Sequence, residues 1–313
     1  MLSVLLLFCL GFMLIFPNII FDGANTGLLL WFQTVLPTLF PFFVINALLL
    51  KSGTIYQFSR MISPVFGPFF AISKWSSYAV LCGFFCGAPV GAMVIVELVS
   101  SGKISKMEGE YLLSFCNNTS PGFVVGFVFE QCLKRPEMAY ISLAILMSSY
   151  VCSSFLFRKM YYPDLGLNNS EKFNAGREKS FLQSRSLDES IWESCVTILK
   201  IGGYIIVFCV LLYGLKSLPV QKMVWKFLLL PSLEVTNGIK MITSAEKLSF
   251  DLKYVLSMGL LAFGGVCAAF QTKCIIDKAG LSFKQYIKEK LITAMVTSLF
   301  AISYLLLYSR FAG

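Results

Sequence analysis

The sequence contains no histidine. Ser-His-Asp and Cys-His catalysis, histidine-ligated zinc or haem, and imidazole proton relays are therefore excluded. The ten cysteines form no C-x-x-C pair, and most lie in apolar runs, so we expect free thiols packed between helices. No paired carboxylates or activated nucleophile are recognisable. The sequence therefore predicts no catalytic residue, no metal and no cofactor, and an intramembrane enzyme is the least supported class.

Charged residues are also scarce, at 14% of the 313 residues, and hydrophobic residues make up 57%. Soluble domains have about 25% charged residues. The apolar residues form eight blocks, and each is close to the roughly 20 residues that a helix needs to cross a bilayer. The blocks are Met1–Phe21, Gly27–Leu50, Trp75–Val96, Tyr111–Phe129, Met138–Phe157, Ser194–Leu215 (which contains Lys200), Tyr254–Thr272 and Leu291–Ser309. They predict an all-α polytopic membrane protein, whose partner is the lipid bilayer. The many free thiols favour the cytoplasmic membrane.

The net charge of +9 comes from basic residues that are spread through short loops. No basic cluster is interleaved with stacking aromatics, so we expect no nucleic-acid partner. Loop cations instead favour one membrane orientation and contact anionic lipid. The sequence leaves open whether the protein is a homo-oligomer.

One hydrophilic segment, 158–190, divides the chain. It holds six Lys or Arg and five Asp or Glu residues, and its cations favour a cytoplasmic location. We predict an N-terminal uncleaved span over 1–26, a first repeat over 27–157, this loop, and a second repeat over 191–313.

The two predicted repeats share the order of four features. Trp31 and Trp192 each begin a long apolar run, and a short proline-containing stretch follows in 63–67 and 231–238. Small-residue runs come next: CGFFCGAPVGA (82–92) and AFGGVCAAFQT (262–272). Amphipathic charged segments then follow at 102–113 and 280–292. Such repeats are typical of transporters, although apolar sequences also align with one another by chance.

Two segments break the pattern of a simple spanning helix. The first has glycine and proline at Gly83, Gly87, Pro89 and Gly91, and the second has Gly264 and Gly265. Glycine costs about 1 kcal/mol and proline about 3 kcal/mol in a helix interior. We predict two re-entrant hairpins, with the first tip around Cys86–Pro89. The alternative is that these small residues allow close helix packing.

A polar segment interrupts the block Tyr111–Phe129. Asn117, Asn118, Thr119 and Ser120 precede a Pro-Gly pair. Polar side chains within a membrane are costly and usually mark a pathway or a site. Amides and hydroxyls suit a neutral hydrogen-bonding solute or a sodium ion. The alternative is an interfacial loop between two helices.

Glu234 is the acidic residue that stands out, and Thr236 and Asn237 lie beside it. A buried carboxylate could carry a proton, bind sodium or contact a solute, whereas a surface acid before a turn would do none of these. A coupling ion, Na⁺ or H⁺, is therefore left open.

Five pieces of the sequence together resemble the Gate, or nucleoside-recognition, superfamily, and within it the YlbJ-type sporulation integral membrane proteins. The pieces are LWFQTVLPTLFPFFV (30–44), GFFCGAPVGA (83–92), EGEYLLSFCNNTSPGFVVGFV (108–128), LEVTNG (233–238) and FGGVCAAFQT (263–272).

The resemblance implies a fold like the transport core of concentrative nucleoside transporters, and movement of dipicolinate across a membrane around the forespore. It also implies that the solute site is lined by Asn117–Ser120, Glu234, Asn237 and Gln271. Met93 stands where the family commonly has a lysine, and Ser63–Gly67 replaces a Met-Arg-Pro-like stretch. If those cations hold an anionic substrate in the family, we expect the substrate of this protein to differ.

Three functions follow as hypotheses. The first is a transporter or permease for a small polar or anionic solute. The second is a non-transporting scaffold for a sporulation or envelope complex. In this hypothesis the 158–190 loop recruits a partner protein. The third, an intramembrane enzyme, lacks a recognisable constellation.

Overall fold

A computed structural model describes residues 2–51, 54–163, 165, 187–217 and 224–311. Every regular element in these ranges is a helix, so the prediction of an all-α membrane protein is confirmed. The α-helices are α1 (Leu2–Ile15), α2 (Pro17–Leu30), α3 (Leu36–Lys51), α4 (Thr54–Phe70), α5 (Ser76–Phe85), α6 (Val90–Ser100), α7 (Lys106–Cys116), α8 (Ala139–Tyr161), α9 (Leu187–Lys216), α10 (Leu230–Leu233), α11 (Val235–Thr243), α12 (Phe250–Phe263), α13 (Gly265–Ile276) and α14 (Phe283–Phe311). Wider π-helical turns cover Trp31–Val35, Phe123–Cys132 and Trp225–Leu229.

Four helical stretches of the described chain are long and apolar enough to cross a membrane. They are Pro136–Tyr161, Leu187–Lys216, Phe250–Ala279 and Phe283–Leu307. A pair bent by 51°, Pro17–Val35 with Leu39–Ile45, makes a fifth candidate. The protein is therefore a multi-pass membrane protein.

Three of the eight predicted blocks are not simple spans. Met1–Phe21 is divided, because α1 ends at Ile15 and Pro17 begins a new helix, where its missing N–H is tolerated. Trp75–Val96 forms two short helices, and Tyr111–Phe129 is interrupted after α7. The predicted 1–26 span thus covers α1 and part of α2. Most of the predicted 158–190 loop, namely 164 and 166–186, lies outside the described residues.

Helices α2 and α9 pack backbone against backbone. A Cβ on Gly27 would lie 2.7 Å from the Ile206 Cα, and Gly23 fits against α9 as tightly one turn earlier. One turn after Gly27, the Trp31 indole N–H donates a 3.0 Å hydrogen bond to the Ile198 carbonyl. Small residues allow this approach between membrane helices. The N-terminal region therefore packs directly against the first span of the second half.

The two ends of α9 define two sides of the molecule. With 30 residues, α9 is about 45 Å long. Near its start, Trp192 lines a cavity together with Ser100 at the end of α6 and Lys278 beyond α13. Near its end, Lys216 lines another cavity with Ser244, just beyond α11. We call these the Trp192 side and the Lys216 side.

The predicted first hairpin is formed by α5 and α6. In one straight helix, residues eight apart would be separated by about 12 Å. A Cβ on Gly91, however, would lie only 3.2 Å from the Gly83 Cα, so the chain reverses at Cys86–Pro89. Gly87 makes the turn with φ +79°, a left-handed conformation that favours glycine. Because α6 ends at Ser100, the hairpin enters from the Trp192 side.

No hairpin forms at Gly264–Gly265, which corrects the second hairpin prediction. Both glycines have φ +85° and interrupt the helix, yet the chain runs on, and Phe250–Ala279 remains one candidate span. The second reversal lies earlier, at Glu234. A Cβ on Gly238 would overlap the Pro231 carbonyl oxygen, although residues seven apart would be separated by about 10 Å in a straight helix.

The order of elements recurs in the two halves, in a register that differs from the predicted one. Each half has a chain reversal, a serine-capped helix, a break, and a long helix. The caps are Ser105 on α7 and Ser249 on α12. The pairing of 82–92 with 262–272 is therefore wrong, because 82–92 corresponds to the Glu234 reversal. The first reversal enters from the Trp192 side, whereas α11 leads from the second reversal towards the Lys216 side. An internal repeat of the two halves stays a prediction.

Candidate functional site

The tip of the first hairpin rests on the polar segment that follows α7. The Ala88 N–H donates a 2.5 Å hydrogen bond to the Asn118 carbonyl. A Cβ on Gly87 would lie 2.7 Å from the Ser120 amide nitrogen. The predicted tip residue Pro89 is buried and precedes α6. Hairpin tip and polar segment thus meet through their backbones.

Two further glycines bring both hairpin arms onto the end of α7. A Cβ on either Gly83 or Gly91 would overlap the carbonyl oxygen of Cys116. The predicted glycines of the first hairpin therefore have a steric role. They allow the hairpin to reach the point where α7 ends.

The polar segment reaches into the second half of the molecule. The Asn117 amide donates 2.9 Å hydrogen bonds to the hydroxyls of Thr272 on α13 and Tyr286 on α14. The Thr119 hydroxyl donates a 2.7 Å bond to the Leu261 carbonyl on α12. Within the described part of the chain, the side-chain oxygen of Asn117 is buried without a hydrogen-bond partner. The segment is therefore an internal junction of both halves.

A lysine that the sequence interpretation missed completes this junction. Lys290 on α14 is 2% exposed, and its ammonium donates a 3.0 Å hydrogen bond to the Asn118 side-chain oxygen. It also lies 5.7 Å from the centre of the Tyr150 ring. The Asn118 amide caps α7 by donating to the Phe115 carbonyl. Among the described residues, no carboxylate forms an ion pair with Lys290.

The neighbouring acid, Glu289, is engaged elsewhere. It is buried, and one of its oxygens accepts 2.8 Å hydrogen bonds from the Tyr162 hydroxyl and the Gln285 amide. Burying a charge without a partner is costly. Lys290 is therefore the buried basic group of the polar junction, and within the described chain it has no ion-pair partner.

Helical spacing could have indicated Lys290. Tyr286, Lys290, Thr293 and Thr297 follow one another at intervals of four, three and four residues, and all are buried. Such spacing places them on one face of α14. In the sequence they follow Lys284, and the charged segment 280–292 is typical of an amphipathic helix.

The predicted residue Glu234 occupies a separate position. It is 4% exposed, so it is not a surface acid. One oxygen accepts a 3.0 Å bond from the Thr236 N–H, and the other accepts 2.8 Å bonds from the Asn237 N–H and side-chain amide. The Asn237 amide also contacts the Cys209 sulfur at 3.4 Å. Glu234 therefore caps α11 with both oxygens.

Helix α13 connects the two groups of predicted residues. At its start, a Cβ on Gly265 would lie 3.2 Å from the Val235 amide nitrogen, beside Glu234. Seven residues later, about 10 Å along the axis, Thr272 contacts the polar segment after α7. Gln271 is buried, and its amide donates a 3.2 Å bond to the Cys267 sulfur. The predicted site thus has two parts on one helix.

A cavity of about 410 Å³ opens beside Gln271 on the Trp192 side. This volume is within the range of small-molecule sites. Met93, where the family resemblance leads one to expect a lysine, lines the cavity. Glu97, Lys200 and Lys278 also line it, so its walls carry both charges. In the described part of the chain, no three His, Cys, Asp or Glu side chains are grouped to hold a metal.

Comparison with known proteins gives one relative. The chain is 24% identical, over 318 aligned residues, to the sporulation integral membrane protein YlbJ of Bacillus subtilis (strain 168). The alignment covers 91% of this chain and 78% of the relative. No family model matches the chain, and no solved structure matches it. The wider resemblance to the Gate superfamily stays a prediction. The resemblance to YlbJ-type integral membrane proteins is confirmed over most of the chain.

Proposed function

We propose that the protein transports a small polar or anionic solute, which binds where the first hairpin tip, the Asn117–Ser120 segment and α14 meet. The observation that carries this proposal is the buried Lys290 ammonium, which bonds to Asn118 and has no carboxylate partner in the described chain. Ionisable residues inside a membrane protein usually mark a pathway or a site.

The chemistry of the junction suits a carboxylate or another oxyanion. A lysine ammonium has three donor hydrogens, and Lys290 uses one of them on Asn118. Charge-assisted hydrogen bonds from the others to a solute oxyanion would be about twice as strong as neutral ones. The unpartnered Asn117 oxygen adds an acceptor for a hydroxyl, an amine or a coupling cation.

The two chain reversals provide the route. They enter from opposite sides, so each can close the site towards one side. The cavity on the Trp192 side is lined by Gln271, the residue before Thr272 of the junction. The similar protein is named for sporulation, and the family resemblance implies dipicolinate. Dipicolinate, with its two carboxylates, is therefore the first solute to test, and the membrane around the forespore is the proposed location.

Uptake into proteoliposomes tests the proposal. We expect saturable uptake of labelled dipicolinate by the unmodified protein, and loss of uptake in Lys290→Gln and Asn117→Ala. Lys247→Gln, which removes the same charge from an exposed position, is the matched control and should transport normally. Uridine uptake distinguishes a nucleoside solute, and an imposed Na⁺ or H⁺ gradient identifies the coupling ion. Uptake by Lys290→Gln at the rate of the unmodified protein would contradict the assignment of the site.

The scaffold hypothesis predicts a different outcome. Deletion of Leu167–Ser184, which lies outside the described residues, should leave solute flux intact under the transport hypothesis. If that deletion abolishes sporulation while flux persists, recruitment through the loop is the function.

A further inference from the structure

A second cavity lies on the Lys216 side, away from the proposed solute site. Its volume is about 760 Å³. Lys134, Lys216 and Lys240 line it, and they come from three different elements: the turn after Phe123–Cys132, the end of α9, and α11. No carboxylate is among the described residues that line this cavity. We call it the basic pocket.

Helix-end electrostatics accounts for only part of this arrangement. Lys216 and Lys240 lie in the last turns of their helices, where a cation is favoured by about 0.3–1 kcal/mol. That effect does not require the helix ends to converge on one cavity. Lys134 is also held at φ +54°, a left-handed conformation that is uncommon for a residue other than glycine. The local backbone therefore orients the third lysine at an energetic cost.

The walls of the pocket combine charge with apolar surface. The Lys240 ammonium lies 5.7 Å from the centre of the Phe127 ring, and the Lys216 ammonium lies 6.0 Å from that of Tyr213. Gln131 and Thr243 add hydrogen-bonding groups. An oxyanion attached to a short apolar or glycerol group matches this lining in both charge and polarity. Basic pockets between transmembrane helices bind anionic headgroups in this way.

We propose that the basic pocket binds a phosphate oxyanion, supplied by the headgroup of an anionic lipid or by a free phosphate compound. Asn237 also lines the pocket, and its side-chain amide holds the Glu234 carboxylate at 2.8 Å. The bound phosphate therefore lies against the second chain reversal. Occupancy of the pocket stabilises the helix that follows Glu234.

The test compares thermal unfolding of the full chain in nanodiscs of phosphatidylcholine, with and without one-fifth phosphatidylglycerol. The pocket variant is Lys134→Gln/Lys216→Gln/Lys240→Gln. The control is Lys159→Gln/Lys247→Gln/Lys284→Gln, which removes three exposed lysines outside the pocket. A second arm titrates glycerol phosphate into phosphatidylcholine nanodiscs. Native mass spectrometry measures the bound phosphatidylglycerol directly.

We expect phosphatidylglycerol to raise the melting temperature of the unmodified protein and the control, but not that of the pocket variant. Each lysine should contribute about fivefold in apparent affinity, equivalent to about 1 kcal/mol near an anionic surface. If glycerol phosphate alone reproduces the shift, the ligand is a free phosphate compound. If pocket and control variants respond equally to both probes, the proposal is wrong. Should the pocket variant fail to fold, Lys216→Gln and Lys240→Gln separately must each lose bound lipid.

Discussion

Replacement of Gly91 by alanine tests the contact between the first hairpin and the end of α7. Gly91 is a buried residue of α6, and an added Cβ would overlap the carbonyl oxygen of Cys116. Gly203, an exposed residue in α9, is the matched control, because its Cβ would meet nothing within 4 Å. Both substitutions remove glycine from a helix, so they differ mainly in the steric contact.

The two substitutions should change the free energy of unfolding in opposite directions. Alanine is favoured over glycine in a helix by about 1 kcal/mol, so Gly203→Ala should stabilise the protein by about that amount. At Gly91 the same gain is opposed by overpacking, which costs about 1–3 kcal/mol. The upper end applies here because the obstructing atom belongs to the backbone. Displacement of the hairpin also weakens the Ala88–Asn118 hydrogen bond, worth about 1 kcal/mol.

We therefore expect Gly91→Ala to destabilise the protein by about 3 kcal/mol, and the two variants to differ by about 4 kcal/mol. Reversible unfolding in mixed detergent micelles, followed by tryptophan fluorescence, measures both values. Solute uptake should also fall in Gly91→Ala, because the hairpin tip moves away from the polar segment. If Gly91→Ala were as stable as Gly203→Ala, the close packing of hairpin and α7 would be refuted.

Substitutions at three further positions address the junction, the second reversal and the end of α8. Asn118→Asp gives Lys290 a carboxylate partner, so anion uptake should be abolished. The substitution also removes the amide donor to the Phe115 carbonyl, so about 1 kcal/mol of stability should be lost; undiminished uptake would argue against an anion at Lys290. Glu234→Ala removes the cap of α11 and should lower the free energy of unfolding by about 2 kcal/mol. Glu234→Gln should lower it less. Equal losses of stability would mean that the charge of Glu234 matters more than its hydrogen bonds. Arg158→Lys replaces a guanidinium that donates to three backbone carbonyls at 2.7 to 3.0 Å. About 2 kcal/mol of stability should be lost. An unchanged unfolding midpoint would show that water replaces these hydrogen bonds.

The sequence was sufficient to predict the helical class, the first hairpin and the polar segment. Each depends on local chemistry: long apolar runs require helices in a membrane, and Gly83, Gly87, Pro89 and Gly91 together interrupt one. Asn117 and Asn118 stood out because they lie within an apolar block. Their burial and their contacts with the second half agree with a position inside the protein.

The second reversal was assigned to the wrong residues for a physical reason. Gly264 and Gly265 both adopt a left-handed conformation. The chain nevertheless continues past them in the direction of α12, so Phe250–Ala279 is one candidate span. At Glu234, by contrast, the side chain supplies the hydrogen bonds that begin a new helix, and the chain reverses. Composition alone does not distinguish a kink from a reversal, since both require a break in the helix.

Lys290 was missed because its role depends on tertiary contacts. Its sequence neighbours, Lys288 and Glu289, make the segment resemble a charged helix end. Only the packing of α14 against Asn118 and Tyr150 shows that this lysine is directed inward.

The glycine-lined contact between α2 and α9 has a mechanical consequence. The Gly27 backbone meets the Ile206 backbone so closely that even a Cβ on Gly27 would not fit between them. The pair should therefore move as a single rigid rod about 45 Å long, while motion is confined to the elements that pivot on it. Spin labels placed on α2 and α9 should keep a constant separation during turnover, and labels on the two reversals should not.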